Sequence, residues 1–314
     1  MSFPLSKLSP GARMMRNKTL GRSLHARDAL DCVGSCVRRV TIDYGWAALL
    51  VPLALLWSCP AAAQLPESAD LSGLDFFRPP PNLFQFQHEY RTAPGNTREV
   101  TTQTLNLRYD HAFYLTPTWT VVTRTDLPLL GRNTINASNP NGNYIYGLGD
   151  ADIQAAVIHD LDKRWAVGFG ARLITPTGED PLGSGKWRIM PIVGFRVALP
   201  EISKSSYFEP IFRYDVSVAG DPTRRNISNL QFGPALNIGL PDRWFVTFYP
   251  SQDIRINFGD PVTGQTGRLF LPLDVRAGKK LSDNVAASLE IGVPIIKDYP
   301  VYNFKSQFRL NITW

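Results

Sequence analysis

The sequence has little cysteine and little excess charge, and most of both lies in its first 63 residues. Its three cysteines, Cys32, Cys36 and Cys59, all precede residue 64. The same stretch carries eight of the 33 lysines and arginines and three of the 27 acidic residues, which leaves 25 basic residues against 24 acidic ones. The remaining chain therefore has no disulfide and must depend on backbone pairing and packing. Its near-neutral balance also argues against a nucleic-acid partner.

The sequence also lacks an apolar run long enough to cross a bilayer as a helix, which takes about 20 residues. The run from Trp46 to Trp57 is shorter, follows Arg38 and Arg39, and precedes the small residues of SCPAAAQ. This combination is typical of a secretory signal peptide. We therefore predict a cleaved signal peptide with an extended basic region over residues 1–63.

Helical periodicity is missing after residue 64, and a two-residue alternation of apolar and polar side chains replaces it. The last twelve residues, NFKSQFRLNITW, show this alternation without a break. Most such segments are longer than the five or six residues of an ordinary soluble strand. The pattern predicts about twelve strands, centred near residues 87, 109, 123, 155, 169, 193, 212, 234, 250, 273, 290 and 309.

The connections between these segments are of two kinds. Four are tight and share a pattern of leucine, turn formers and a strand-starting residue: YLTPTW, DLDKRW, GLPDRW and KLSDNV. Between them lie long polar stretches such as GRNTINASNPNGNYIYG and TPTGEDPLGSGK. Short turns at one end and long loops at the other are typical of outer-membrane barrels. A soluble secreted β-sandwich, the alternative fold, has no reason for this asymmetry.

The two faces of the predicted strands differ in chemistry. The apolar face carries aromatic residues at strand ends, as in the interfacial girdles of membrane barrels: Phe113, Trp119, Trp165, Trp187, Trp244 and Trp314. The other face carries eleven basic and eleven acidic residues, which predicts a charge-balanced, wet lumen. The pore-lining candidates are Arg108, Asp110, Arg124, Asp126, Asp150, Asp152, Arg172, Arg196, Arg213, Asp253, Arg255, Arg276, Glu290 and Arg309.

Residues 147–187 carry a more specific signal. Gly147-Leu148-Gly149-Asp150 opens a strand, Pro176-Thr177-Gly178 closes the next, and Leu182-Gly183-Ser184-Gly185-Lys186-Trp187 opens the one after. This stretch resembles bacterial outer-membrane barrels of the MetA-pathway of phenol degradation family. The resemblance implies an exported barrel in the bacterial outer membrane, with a transport role near degradation pathways.

Catalytic and metal-binding readings have weak support. A lipid hydrolase needs a histidine oriented beside its nucleophile, yet His88, His111 and His159 fall on the predicted lipid-facing side. Asp150 and Asp152 share a strand face and could hold calcium, but such a pair more often meets lumen arginines. We therefore expect no catalytic residue, no metal and no cofactor.

The prediction from sequence is an all-β, transmembrane, up-and-down antiparallel barrel over residues 83–314. A proline-rich segment, residues 64–82, precedes it as a lead-in or a short plug. The expected function is passive passage of small polar or amphipathic solutes, aromatic ones among the options. A structural or adhesive barrel acting through surface loops is the alternative, and an outer-membrane lipid hydrolase a weaker one. Expected partners are outer-membrane lipid, a small solute and the barrel-assembly machinery, which would read Phe308, Leu310, Ile312 and Trp314.

Overall fold

The computed structural model describes residues 70, 72–136 and 139–314. The predicted signal peptide and residues 64–69 lie outside the described residues. Among the described residues, no helix has the length and apolar character needed to cross a bilayer.

The alternating segments form fourteen strands in one sheet. Their bounds are β1 Asn82–Ala93, β2 Val100–Tyr114, β3 Trp119–Arg132, β4 Ile145–Leu148, β5 Asp152–Asp160, β6 Trp165–Ile174, β7 Lys186–Ala198, β8 Tyr207–Gly220, β9 Ser228–Gly239, β10 Trp244–Phe248, β11 Ile254–Asn257, β12 Leu269–Lys280, β13 Val285–Lys297 and β14 Phe304–Thr313. β4 and β5 both pair with β3, so together they form one interrupted strand. β10 and β11 both lie between β9 and β12, so they form a second interrupted strand. The wall therefore has twelve antiparallel strands, which confirms the predicted number.

The first and last strands close the barrel. In their antiparallel register Phe86 lies opposite Leu310, as the alternation of the last twelve residues predicts. At the end of the seam, the Asn82 side-chain amide donates to the Trp314 carbonyl at 3.2 Å. The Trp314 N–H donates to the Asn82 carbonyl at 3.3 Å. Closure leaves no free sheet edge, which a bilayer would not tolerate.

The four tight turns share one backbone hydrogen bond. In each, the N–H of the leucine donates to the carbonyl of the residue four positions later, at 2.8 to 3.0 Å; the leucines are Leu115, Leu161, Leu240 and Leu281. Both ends of the barrel chain, Asn82 and Trp314, lie at this end, which corresponds to the periplasmic side of outer-membrane barrels. The longest loops, residues 133–144, 175–185 and 258–268, lie at the other end, and residues 199–206 form a longer connection at the periplasmic end.

The faces of the strands follow the predicted alternation. Apolar residues point outward from every spanning strand, and the tryptophans predicted for the interfaces are all exposed there: Trp119, Trp165, Trp187, Trp244 and Trp314. Most buried polar and charged side chains are on the inward positions. An apolar exterior around a polar interior is the reverse of a soluble domain, and it matches a barrel surrounded by lipid.

The two interrupted strands bend where the chain leaves the wall. β4 and β5 are separated by residues 149–151, and β10 and β11 by residues 249–253. At the second break Tyr249 has a φ of 51°, and Pro250 follows it. A Cβ at Gly233 of β9 would lie 2.9 Å from the Ser251 carbonyl oxygen, so this glycine leaves room for the inward bend.

Candidate functional site

The segment before the barrel, residues 70 and 72–81, lies inside the periplasmic end of the barrel; we call it the plug. It is tied to the wall at successive positions along its length. The Tyr207 hydroxyl donates to the Leu74 carbonyl at 3.0 Å, and the Tyr114 hydroxyl donates to the Pro79 carbonyl at 2.7 Å. The Asn311 side-chain amide donates to the Gly73 carbonyl at 3.0 Å. These contacts hold the described residues of this segment against the inner side of the wall.

Asp70 organises the first turn of the plug. Its carboxylate accepts hydrogen bonds from the Ser72 hydroxyl at 2.7 Å and from the Ser72 N–H at 3.1 Å, and pairs with Lys280 of β12 at 3.0 Å. Burial raises the pKa of the Asp70 carboxyl, but Lys280 and the Ser72 hydrogen bonds outweigh burial and hold that pKa below its ordinary value. This attachment is therefore fully ionised at neutral pH and weakens only in acid.

Two further ion pairs anchor the plug to β5 and β7, the two neighbours of β6. The Arg196 guanidinium of β7 donates to the Asp75 carboxylate at 2.5 Å. Arg78 of the plug is buried and pairs with Asp160 at the end of β5. Each charge on the plug thus has an opposite charge on the wall, which limits the cost of burying it.

Phe77 fills the apolar part of the periplasmic interior. It is 2% exposed and packs in a cluster of small and branched inward-facing side chains: Ala112, Val122, Ile158, Ala166, Ile192 and Ile211. A Cβ at Gly168 would lie 2.9 Å from the Phe77 ring, so β6 needs a glycine here. Burying a phenylalanine side chain stabilises by roughly 1.5–3 kcal/mol.

A central cavity of about 230 Å³ lies above the plug. Its floor includes Leu74, Asp75 and Phe76, and seven arginines and five carboxylates line it among the described residues. On the other side of the plug, a pocket of about 400 Å³ is lined by Asp70, Leu74 and Asp75 together with residues of the periplasmic rim. The plug therefore separates the interior from the periplasmic mouth.

Ion pairs cross-link the strands around the cavity. Arg124 donates two hydrogen bonds to Asp110 at 2.8 and 2.6 Å, and Arg108 donates two to Asp126 at 2.7 and 3.0 Å. These residues are direct cross-strand partners in β2 and β3. Forked arginine–carboxylate pairs are the strongest ordinary charged hydrogen bonds, so they stiffen this side of the wall.

On the other side of the interior, Lys305 of β14 joins three carboxylates; we call these four residues the Lys305 network. Its ammonium lies 2.6 Å from Asp253, 3.2 Å from Asp274 and 2.6 Å from Glu290, and the lysine is fully buried. The carboxylate oxygens lie within 4.8 Å of one another, a spacing that could hold a metal ion. The Lys305 ammonium supplies the positive charge at their centre.

The outer side of the interior is covered by the loop between β13 and β14. Tyr302 is fully buried and donates its hydroxyl proton to Asp274 at 2.5 Å. Its ring packs against Phe270, with Tyr299 in the same cluster. Nothing in the alternation pattern marks Tyr302 or Phe77 as inward-folded, because both lie outside the strands.

The predicted pore-lining residues occupy four environments. Eight line the central cavity: Arg108, Asp110, Arg124, Arg213, Asp253, Arg255, Arg276 and Arg309. Four are inward-facing and lie in the ion-pair networks beside it: Asp126, Asp152, Arg172 and Glu290. Arg196 is bound to the plug, and Asp150 lies apart, at the outer end of the wall.

Asp150 holds an outer loop in place. Its carboxylate accepts hydrogen bonds from the Ser184 N–H at 2.8 Å and the Gly178 N–H at 3.2 Å. Gly178 and Gly183 touch so closely that a Cβ at Gly183 would meet the Gly178 carbonyl oxygen at 2.1 Å. The three motifs of residues 147–187 therefore meet at one contact between outer loop segments.

A closed twelve-stranded barrel with an apolar exterior, aromatic residues at both rims and a charged interior defines an integral β-barrel of the bacterial outer membrane. Within this class, part of the sequence matches one family model. Residues 82–207 match the model of the family described as "Putative MetA-pathway of phenol degradation". The match includes residues 147–187 and confirms the resemblance seen there.

Solved structures with the same fold include an outer membrane channel from Pseudomonas putida F1. It is 17% identical, with a TM-score of 0.56, and the match covers 74% of this chain and 94% of that one. More distant matches are the translocator domain of the autotransporter NalP from Neisseria meningitidis (13% identity, TM-score 0.44, 74% and 88% covered) and the KdgM porin (9%, 0.42, 74% and 99%). No curated protein sequence matches this chain.

Proposed function

We propose that the protein is a passive outer-membrane channel for small polar or amphipathic solutes, closed at its periplasmic end by the plug. The observation that carries this proposal is the central cavity of about 230 Å³, lined largely by charged and amide side chains, inside a membrane wall. A purely structural barrel has no need of a polar interior, since burying so many charges is costly. Twelve strands also lie between the eight that side chains just fill and the sixteen that leave an open channel.

The histidines favour a channel over a lipid hydrolase. The His111 ring nitrogen lies 2.8 Å from the Asn82 side-chain oxygen, and the His159 ring nitrogen 3.2 Å from the Thr118 carbonyl. His159 also stacks on Trp119, with ring centroids 4.1 Å apart. Both histidines thus have interfacial neighbours, and in the part of the chain that the structure describes neither is hydrogen-bonded to a serine.

Planar bilayers test the channel. The purified protein should give small, discrete conductance steps, because the plug leaves only a narrow route between the two pockets. Liposomes containing the protein should also swell in small uncharged solutes. Boiled protein is the matched control. If the native barrel gives neither steps nor swelling at any voltage, the channel proposal is wrong.

A structural or adhesive barrel is the second candidate, and the order of the outer loops favours it. Arg98 donates to the Gly142 carbonyl at 2.9 Å, and Arg225 donates to the Asp260 carbonyl at 2.8 Å. The Thr263 hydroxyl joins Asn96 at 3.1 Å. These contacts tie neighbouring loops into a connected outer surface. Cell adhesion that is lost with the loops while conductance is retained would support this candidate.

The C-terminal strand is proposed as the signal for barrel assembly. Phe308, Leu310 and Ile312 face outward, and Trp314 is 60% exposed and stacks on Tyr109 at 6.3 Å. Deletion of Trp314 should lower the yield of heat-modifiable barrel in the outer membrane severalfold. It should leave the conductance of inserted barrels unchanged, because Trp314 does not line the interior. Trp187→Ala, at the opposite rim, is the control; equal yields for the deletion and the intact protein would contradict the assignment.

A further inference from the structure

One arginine of the central cavity has no partner. Arg213 of β8 lines the cavity, yet it forms no ion pair or hydrogen bond with any residue the structure describes, and its Nε is buried without an acceptor. The other arginines nearest to it are already paired: Arg108 with Asp126 and Arg124 with Asp110. A buried N–H group without an acceptor is costly, so the position of Arg213 in the cavity favours binding of an anion.

The electrostatics around Arg213 point the same way. Its strongest charged neighbours are Arg172, Arg124 and Arg108, with Asp152 as a weaker, favourable one. The cavity lining as a whole has two more arginines than carboxylates, in contrast to the balance predicted for the whole inward face. The arginines are Arg91, Arg108, Arg124, Arg213, Arg255, Arg276 and Arg309. The acidic residues are Asp75, Glu89, Asp110, Glu209 and Asp253. Arg276, the other arginine without an ion pair, instead interacts with Glu209. The excess positive charge is therefore concentrated at Arg213.

The shape of the cavity adds an apolar floor to this cationic centre. Ile211 lies two positions before Arg213 on the inward face of β8, and Val122 lies two positions before Arg124 on β3. Phe76 of the plug lies under Arg124, with the guanidinium carbon 5.5 Å from the ring centre. One end of the cavity thus offers apolar contact and the other offers arginines. A cavity of about 150 Å³ can hold benzene, so this one has room for a ring with a carboxylate.

We propose that Arg213 is the docking residue for a small organic carboxylate with an apolar body. The carboxylate accepts the two parallel N–H groups of the Arg213 guanidinium, and the body rests on Phe76, Val122 and Ile211. This inference rests on the proposed channel function, whose solute class it names.

Benzoate binding to the folded full-length barrel in detergent tests this assignment without requiring transport. Calorimetric titration should show benzoate binding that weakens at least tenfold in Arg213→Gln and less in Arg213→Lys, which keeps the charge but loses the fork. Benzamide, of the same shape and neutral, should bind weakly and equally to all variants. Arg164→Gln is the matched control, because Arg164 lies on a periplasmic turn and pairs with Glu201 at 2.9 Å.

The outcomes separate this inference from the channel proposal. Equal benzoate binding by the native protein and Arg213→Gln, or equal binding of benzoate and benzamide, would overturn the assignment even if bilayers show conductance. Benzoate binding that depends on Arg213 would support the assignment even if conductance is absent. In that case only the channel proposal would be wrong. Arg213→Gln should fold, since it removes a charge that has no ion-pair partner in the described part of the chain. If it does not, the comparison of benzoate with benzamide on the native barrel decides.

Discussion

Deletion of residues 70–80 should raise the single-channel conductance severalfold. The plug is what separates the central cavity from the periplasmic pocket, and both cavities are lined by Leu74 and Asp75. The wall should survive the deletion, because its backbone hydrogen bonds run between strands and need nothing from the plug. Planar bilayers give the conductance, and a heat-dependent shift on gels shows that the barrel is folded.

A point substitution separates loss of the plug from loss of wall packing. Phe77→Ala removes the central apolar contact of the plug and should give flickering openings of intermediate size. Phe212→Ala, on the outer face of β8, removes an aromatic ring of the same size and should leave conductance unchanged. If the deletion conducts no better than the full chain, the main barrier lies elsewhere, and the inward-folded Tyr302 loop becomes the next target.

Lys305→Met should cause the largest loss of stability of any single substitution in the barrel interior. It leaves Asp253, Asp274 and Glu290 converging without the ammonium that lies between them. Removing one partner of a buried ion pair typically costs about 3–5 kcal/mol. We therefore expect a clearly lower midpoint temperature for the gel shift from folded to unfolded barrel, and a smaller folded fraction at room temperature.

Two variants control for the loss of charge and of side-chain length. Lys279→Met removes a lysine at the periplasmic rim, where it lies 5.2 Å from the Trp244 ring centre, and should change the midpoint little. Combining Lys305→Met with Glu290→Gln should recover part of the loss, since Asp253 keeps Arg255 and Asp274 keeps Tyr302. A Lys305→Met barrel as heat-resistant as the native one would show that the carboxylates do not need this counter-charge.

The strands of the barrel wall could be predicted because strand faces and hairpin register depend on residues close together in the sequence. The two-residue period gives the strands and their faces, and each leucine turn sets the register of the hairpin that it closes. Once the turn at Leu115 is placed, Arg124 must lie opposite Asp110 and Arg108 opposite Asp126. The charge pattern therefore predicts these two ion pairs without any knowledge of distant strands.

The interior was less predictable because its contacts join distant segments. The three prolines before β1 exclude a central strand, but they do not show that Asp75 pairs with Arg196, 121 positions away. Lys305 falls on the predicted inward face, yet its contact with Asp253 links β14 to the break between β10 and β11. That break interrupts an otherwise regular alternation, and Pro250 is the one local hint of it. Which arginine is left without a partner depends on all of these contacts together.

The charged side chains of the β2–β3 hairpin neutralise one another within the hairpin. Its two forked ion pairs join strands connected by a four-residue turn, so they can form as soon as the hairpin does. If both ion pairs have formed before the hairpin inserts, these four residues carry no net charge into the bilayer. Each uncompensated charge there would cost several kcal/mol of insertion free energy. Polar side chains needed inside the finished barrel can thus enter the membrane two strands at a time, before the seam between β1 and β14 exists to shield them.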